Sequence, residues 1–133
     1  MNTTNQQIKI AIVTGGSRGI GKSISLNAAK RGIGVILTYN SHPEEAEAVV
    51  DEINKNGGKA IALKFDSAKI ESFNDFVGKV SQTLKKEWNR ENFDYLVNNA
   101  GIAQRSLIKD TTEKIFDQLV SVNFKGPFFL TQK

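Results

Sequence analysis

The sequence predicts an α/β fold, with a mainly parallel sheet covered by helices on both faces. Short apolar runs of strand length alternate with longer stretches whose apolar residues recur at helical spacing, and this alternation is typical of parallel sheets with helical crossovers. A glycine-rich stretch, Thr14 to Gly21, directly follows the first run. The chain has 133 residues, 39% of them hydrophobic and 24% charged, so we expect one globular domain over residues 1–133.

The first strand, helix and second strand are predicted over residues 8–39. Ile8 to Val13 is a β-branched run that stops before glycine, as a buried strand does. Ile20 to Arg31 has its apolar residues on one helical face, and Gly32 stands at the C-terminal cap position. Val35 to Tyr39 gives the second strand. Because parallel strands need a crossover, these elements form a βαβ unit.

The next helix and strand follow Ser41. Ser41 and Glu44 have the spacing of a capping box, so we expect the helix to begin there and to end before Gly57. Ala60 to Phe65 alternates apolar residues on one face, which predicts the third strand. The residues expected to be buried on the helix are Ala46, Val49, Val50 and Ile53.

Two further helices flank a fourth strand, which is predicted at Phe93 to Val97. The helix before it is expected to bury Phe73, Phe76, Val77, Val80, Leu84 and Trp88. Asp110 and Glu113 have the spacing of a capping pair and predict the start of the last helix. One stripe of that helix comprises Phe116, Leu119 and Asn123.

Four distant segments are predicted to meet at one edge of the sheet. Each follows the carboxyl end of a strand, and they are Gly15 to Gly21, Asn40–Ser41, Asp66, and Asn98 to Gly101. Ligands of open parallel sheets bind beyond these ends. We therefore expect a Rossmann-type doubly wound sheet of strand order 3-2-1-4, with a ligand site at this edge.

Composition excludes several kinds of chemistry. There is no cysteine and only one histidine, so disulfides, thiolate metal sites and histidine clusters are ruled out. The eighteen Lys and Arg residues are scattered and give a net charge of +4, which favours a solvated surface over a nucleic-acid site. The sequence contains neither a signal-peptide pattern nor a membrane-span pattern, so a cytoplasmic location without a membrane partner is expected.

The glycine-rich stretch fits two nucleotide sites. Gly16 to Ser23 matches the P-loop pattern of Gly, four residues and Gly-Lys-Ser, in which the lysine reaches phosphates and the serine holds magnesium. An NTPase also needs an acidic residue after an apolar strand. Asp66 is the available residue, although Lys64 interrupts its strand.

The second match is to the short-chain dehydrogenase/reductase family. Thr14 to Gly21 resembles the nucleotide loop of that family, Thr-Gly-x-x-x-Gly-x-Gly, and the resemblance continues through Asp66, Asn98 to Gly101 and Asn123. It covers nearly the whole chain, whereas the P-loop explains one motif. The branch that this sequence resembles most is 3-oxoacyl-carrier-protein reductase. The resemblance implies an NADP(H)-dependent oxidoreductase that transfers hydride between nicotinamide and a small carbonyl or alcohol substrate, and that is a homo-oligomer at full length.

The resemblance also implies a set of cofactor-binding residues. Gly15 makes the turn, Gly19 lets the pyrophosphate approach, and Gly21 lets the helix pack on the strand. The free N–H groups at the start of the helix favour the phosphate's charge. The complete set is Gly15, Ser17, Arg18, Gly19, Ile20, Gly21, Asn40, Ser41, Asp66, Ser67, Asn98, Ala100 and Gly101.

Arg18 indicates NADP(H) rather than NAD(H). NAD-preferring folds place an acidic residue after the second strand, where this chain has Asn40 and Ser41. Without that carboxylate nothing repels a 2'-phosphate, and Arg18 supplies a fork of donors for one. The alternative is that Arg18 is a solvated surface residue.

Asp66 and the turn after the fourth strand are expected at the adenosine. By resemblance, Asp66 accepts from the adenine amino group beside Ser67, and Asn98 to Gly101 lines the adenosine side. The alternative for Asp66 is a capping role at the following helix, and both roles are compatible.

Asn123 is the one catalytic residue that the resemblance assigns to this chain. Family members have an asparagine here that joins a serine, a tyrosine and a lysine, and its backbone carbonyl holds a proton-relaying water. Pro127 has no N–H to donate to the Asn123 carbonyl four residues earlier, so we expect this carbonyl to accept from that water instead. The alternative is a structural asparagine bonded to backbone.

The family's remaining catalytic residues do not match this sequence. Its proton-donating tyrosine has a lysine four residues later, but Tyr39 is followed at that spacing by Pro43 and Tyr95 by Asn99. The serine and the Tyr-x-x-x-Lys pair are expected beyond Lys133, so the chain corresponds to a truncated cofactor half and is expected to be inactive alone. A non-catalytic NADP-binding module is the alternative. An exposed fourth strand would leave such a piece marginally stable or self-associating.

Overall fold

A computed structural model describes residues 8–101 and 107–133. Its strands are β1 (Ile10–Val13), β2 (Gly34–Tyr39), β3 (Ala60–Lys64) and β4 (Tyr95–Val97). They form one parallel sheet of order β3-β2-β1-β4, which confirms the predicted topology. The α-helices are α1 (Gly19–Lys30), α2 (Pro43–Lys55), α3 (Phe73–Trp88), α4 (Glu113–Val120) and α5 (Gly126–Gln132). A π-helical turn, Ser121–Lys125, joins α4 to α5, and 3-10 turns occupy Ile70–Ser72 and Ile108–Asp110.

Alternate residues of the central strands enter two separate cores, one on each face of the sheet. The first core combines the strand residues Ile10, Ile12 and Ile36 with Phe73, Phe76, Val80 and Leu84 of α3 and Leu130 of α5. The second combines Val13, Val35 and Leu37 with Ala46, Val49, Val50 and Ile53 of α2. Because both faces are covered, β1 is entirely apolar and β2 is apolar up to Leu37, with Thr38 and Tyr39 at its carboxyl end. The sheet is therefore doubly wound, as the sequence predicted.

Two predicted helix starts are wrong. His42, not Ser41, is the N-cap of α2, and it makes no side-chain capping hydrogen bond. Pro43 decides this start, since its fixed φ suits the first helical position and holds the preceding residue out of the helix. At α4 the cap is Thr112, whose hydroxyl accepts from the Ile115 N–H at 3.1 Å, while Asp110 ends the preceding 3-10 turn.

Some side chains expected in the core face solvent instead. Val77 on α3 is 38% exposed, and Phe93 lies outside β4, which begins at Tyr95. Phe116 on α4 is 60% exposed, and Asn123 in the following π-helical turn is also exposed. The predicted stripe of Phe116, Leu119 and Asn123 is therefore not buried at Phe116 and Asn123, because no described element covers that face.

An ion pair attaches the start of β4 to the start of β1. Arg90 donates to Asp94 at 2.8 Å and to the Ile8 carbonyl at 2.9 Å. The Ile10 N–H donates to the same carboxylate at 2.8 Å. The Arg90 hydrogen bond, followed by the Ile10 hydrogen bond, lowers the pKa of Asp94 below its ordinary value. The pair aligns β4 with β1, so that both strands end at the same edge of the sheet.

Candidate functional site

A cleft of about 480 Å³ lies beyond the carboxyl ends of the strands. It is formed by the loops after all four strands, together with two residues of the last helical segment. Nine predicted site residues line it: Gly15, Ser17, Arg18, Asn40, Ser41, Asp66, Ser67, Ala100 and Gly101. The sequence prediction therefore located the cleft and much of its lining.

The glycine loop turns and packs tightly under the cleft. Gly15 and Gly19 have φ values of 65° and 52°, a left-handed conformation that favours glycine. A Cβ at Gly21 would overlap the Gly15 carbonyl oxygen and the Asn99 side-chain amide, and would lie 2.9 Å from the Gly15 carbonyl carbon. Only glycine at position 21 lets α1 pack this closely against the loop.

The N-terminus of α1 has the character of an anion site. Arg18 is its N-cap, with extended backbone and no side-chain capping hydrogen bond, and the first turn contains no acidic residue. The first N–H groups of a helix lack intrahelical acceptors and carry a partial positive charge. A Cβ built on Gly19 would meet no described atom within 4 Å. This open, uncapped end fits a phosphate group.

The same helix start disfavours the P-loop alternative. α1 begins at Gly19, three residues before Lys22, and the Lys22 N–H already donates to the Arg18 carbonyl at 3.0 Å. That N–H is therefore engaged within the helix. Ser23 accepts from Asn27 at 3.3 Å on the exposed side of α1.

Two threonines that the site prediction omitted hold the loops together. The buried Thr14 hydroxyl accepts from the N–H groups of Asn99 and Ala100, both at 3.0 Å. The buried Thr38 hydroxyl accepts from the Gly15 N–H at 3.0 Å. Asn99 in turn donates its side-chain amide to the Gly15 carbonyl at 3.1 Å. A hydroxyl at the end of an apolar strand is the sequence signal that could have identified both.

Asp66 and Ser67 form the side of the cleft after β3. The Asp66 carboxylate accepts from the Ala68 N–H at 3.0 Å, which stabilises the turn, and the residue also faces the cleft. The buried Ser67 backbone touches Gly126, where a Cβ would lie 3.0 Å from the Ser67 carbonyl carbon. Asp66 thus both stabilises the turn and lines the cleft. It does not cap α3, whose N-cap residue is Ser72.

Five predicted residues do not line the cleft. Gly19, Ile20 and Gly21 belong to α1, and Ile20 is 75% exposed. Asn98 donates to the Thr131 hydroxyl at 3.0 Å, and it lines a separate depression together with Asn123. The two adjacent asparagines of this turn therefore bind different segments: Asn99 donates to the glycine loop, and Asn98 donates to α5.

Asn123 lies within the π-helical turn, beside the cleft rather than in it. The Gly126 N–H donates to the Ser121 carbonyl five residues earlier, the π-type spacing, and Pro127 follows. A Cβ at Gly101 would lie 2.8 Å from the Asn123 side-chain oxygen. The Asn123 amide thus packs against a residue that lines the cleft.

The last helical segment also contributes two lining residues that the sequence analysis did not identify, Gln118 and Val122.

Comparison with known proteins identifies the family. The family model described as short chain dehydrogenase matches residues 9–133. This chain therefore belongs to the short-chain dehydrogenase family, as its nucleotide loop and strand order predicted.

Individual relatives are similar over nearly the whole chain. Elsinochrome reductase 1 of Elsinoe fawcettii is 36% identical, in an alignment covering 100% of this chain and 48% of that protein. The angucycline C-6 ketoreductase LanV, solved with bound NADP, is 33% identical with a TM-score of 0.90, covering 93% of this chain and 48% of LanV. A short chain dehydrogenase of Burkholderia cenocepacia J2315 in complex with NADP is 37% identical with a TM-score of 0.84, covering 95% and 49%. The chain spans about half the length of these relatives.

Proposed function

We propose that this chain binds NADP(H) in the cleft and is the cofactor-binding part of a carbonyl reductase or alcohol dehydrogenase. The observation that carries this is the uncapped N-terminus of α1, whose N-cap residue, Arg18, lines the cleft. The helix N-terminus offers a partial positive charge to a pyrophosphate, and the Arg18 guanidinium offers a full positive charge to a 2'-phosphate. Bound NADP in two similar structures supports the same choice.

The glycine loop holds the pyrophosphate. The turn at Gly15 and the tight packing at Gly21 bring the start of α1 under the cleft, and the open space at Gly19 lets the phosphate approach. Ser17 and Ile20 flank this approach. Because the N–H donors are fixed before binding, little ordering is required of them when the anion arrives.

The 2'-phosphate is bound by Arg18 beside Asn40 and Ser41. The loop after β2 has no carboxylate at the position where NAD-specific folds bind the ribose hydroxyls. Asn40 and Ser41 instead offer neutral polar groups on the same wall of the cleft. Selectivity for NADP(H) over NAD(H) follows from these side chains.

The adenosine lies between the turn after β3 and the turn after β4. Asp66 accepts from the adenine amino group with its second carboxylate oxygen, since Ala68 occupies the first. Ser67, Ala100 and Gly101 line the same part of the cleft. The resemblance also places Asn98 at this wall, but its hydrogen bond to Thr131 favours a supporting role at α5.

NADP(H), when bound, supplies or accepts the hydride of a carbonyl or alcohol substrate. Asn123 is the catalytic residue that this chain contributes, through its backbone carbonyl in the π-helical turn. Neither tyrosine has a lysine four residues later, so the 133-residue chain alone binds cofactor without turnover. That same observation favours a non-catalytic NADP-binding module as the second candidate function.

The extent of the domain, the oligomeric state, the cellular location and the partners of the protein stay predictions. We propose one dinucleotide-binding domain over residues 1–133, and a homo-oligomer for the full-length form. Exposed apolar side chains at every fourth position of the last helical segment support association, and these are Phe116, Val120, Phe124 and Phe128. None of the described helices could span a membrane. A cytoplasmic location, and the absence of nucleic-acid or membrane partners, rest on the sequence.

A titration with three nucleotides tests the proposed function. We expect saturable NADPH binding, followed by the fluorescence of the cofactor, weaker binding of NADH, and no binding of Mg-ATP. Saturable Mg-ATP binding without NADPH binding would reverse the choice between the two nucleotide sites. Addition of ketone substrates to the NADPH complex should give no loss of absorbance at the nicotinamide band, whereas steady oxidation would contradict the proposed inactivity of this chain.

A further inference from the structure

A carboxylate lies against the cation that faces the cleft. The Glu45 Oε2 is 3.0 Å from the Arg18 Nε, and the two side chains are 40% and 64% exposed. Glu45 belongs to the first turn of α2, directly after the cleft-lining residues Asn40, Ser41 and His42. A ligand anion that reaches Arg18 therefore also meets the charge of Glu45.

This contact is electrostatic rather than a directional clamp. The Glu45 Oε2 is shielded from solvent, yet it accepts no aligned hydrogen bond from Arg18 or from any other described residue. Arginine is held in one orientation when both nitrogens of its fork point at carboxylate oxygens. That geometry is absent from this pair, and an ion pair between two partly exposed side chains is weak and is screened by salt. Glu45 therefore neutralises Arg18 without fixing its plane.

We infer that Glu45 is a specificity-determining residue, which competes with the 2'-phosphate of NADPH for Arg18 and so reduces the preference for NADPH over NADH. The inference rests on the proposed NADP(H) site. A phosphate carries about −1.5 to −2 charges, and it is repelled by a carboxylate that stays beside its binding partner. NADH lacks this phosphate, so Glu45 has little effect on its affinity.

Glu45→Gln removes the charge while keeping the size of the side chain. For a carboxylate and a phosphate about 6 Å apart in water, Coulomb's law gives an effect of about five- to tenfold on affinity. Salt screens this repulsion over a Debye length of about 8 Å at physiological ionic strength, so the gain in affinity should shrink to about two- or threefold. Glu47→Gln is the matched control, since Glu47 lies on the same helix and makes no ion pair with any described residue.

The experiment compares the wild-type chain, Glu45→Gln and Glu47→Gln in titrations with NADPH and NADH at low and physiological salt. Adenosine 2',5'-bisphosphate and AMP serve as fragments that differ only in the 2'-phosphate. We expect Glu45→Gln to bind NADPH and the bisphosphate about five- to tenfold more tightly at low salt, with NADH, AMP and the control unchanged. Superimposable thermal melts, followed by Trp88 fluorescence, establish that the variants fold alike.

Two results would overturn the inference. Weaker or unchanged NADPH binding by Glu45→Gln would mean that Glu45 positions Arg18 or has no role in selectivity. An equal gain for NADH would mean that the substitution acts on the fold rather than on the phosphate. Either result leaves the proposed function intact if the wild type still prefers NADPH. A wild-type chain without that preference would overturn the proposed function and this inference together.

Discussion

Gly21→Ala tests whether α1 must pack directly on the glycine loop. The added Cβ would overlap the Gly15 carbonyl oxygen and the Asn99 side-chain amide, and would lie 2.9 Å from the Gly15 carbonyl carbon. Two of these contacts are with backbone, which cannot move away as the end of a side chain can. Overpacking of this kind costs about 1–3 kcal/mol, and backbone contact favours the upper part of that range. We expect a loss of about 2–3 kcal/mol in the free energy of unfolding.

The matched control is Gly78→Ala in α3. A Cβ built on Gly78 would meet no described atom within 4 Å, so only helix propensity changes, and alanine should stabilise by about 1 kcal/mol. Urea unfolding followed by Trp88 fluorescence measures both, because the single tryptophan of the sequence lies against Gly34 of β2. The same substitution should thus have opposite signs at the two glycines.

The displaced loop should also lose its ligand. Gly21→Ala moves Gly15, Asn99 or the start of α1, and each of these holds the cleft in shape. NADPH affinity should therefore fall at least tenfold under conditions where the variant is folded, with Gly78→Ala unchanged. Equal unfolding free energies for Gly21→Ala and the wild type, with NADPH binding retained, would refute the packing argument.

Two further predictions concern the framework of the sheet. Thr14→Val deletes the acceptor of two half-buried N–H groups and should lower the free energy of unfolding by about 2 kcal/mol. Thr14→Ser should restore most of this loss, and a valine variant as stable as the wild type would contradict the role of the hydroxyl. The folded pKa of Asp94 is lowered, so its stabilising effect is present above the unfolded pKa of about 3.9 and is lost as the pH falls through the folded pKa. The urea midpoint of the wild type should therefore exceed that of Asp94→Asn at pH 7, and the gap should shrink below about pH 4; a gap independent of pH would contradict the assignment.

The sheet and the position of the cleft were predictable from local patterns. Apolar runs alternating with helical patterns leave few allowed topologies, since crossovers between parallel strands are right-handed and short. The carboxyl ends of the strands then meet at one edge, which located the Gly15 and Asp66 loops in the cleft. The Gly21 packing was likewise expected from the spacing of the loop glycines.

Details that depend on tertiary contacts were not predictable. Ser41 and Asp110 each have a glutamate at capping distance, but Pro43 and Thr112 set the actual helix starts within two residues. The direction of Asn98 depends on Thr131, which is distant in sequence.

The sequence pattern of the glycine loop also fits two kinds of nucleotide site, a P-loop and a dinucleotide-binding loop. The start of α1 before Lys22 distinguishes them, because that start determines which N–H groups stay free for a phosphate.

Arg18→Ala gives the most direct test of the NADP(H) site. We measure the ratio of NADPH to NADH affinity for the wild type, for Arg18→Ala and for a control, Arg31→Ala, at the opposite end of α1. Loss of a charged hydrogen bond of about 1.5–3 kcal/mol predicts a fall in NADPH affinity of about ten- to a hundredfold, with NADH affinity nearly unchanged and the control like the wild type. Equal weakening of both cofactors by Arg18→Ala, or an unchanged ratio, would contradict the 2'-phosphate site and with it the assignment of NADP(H).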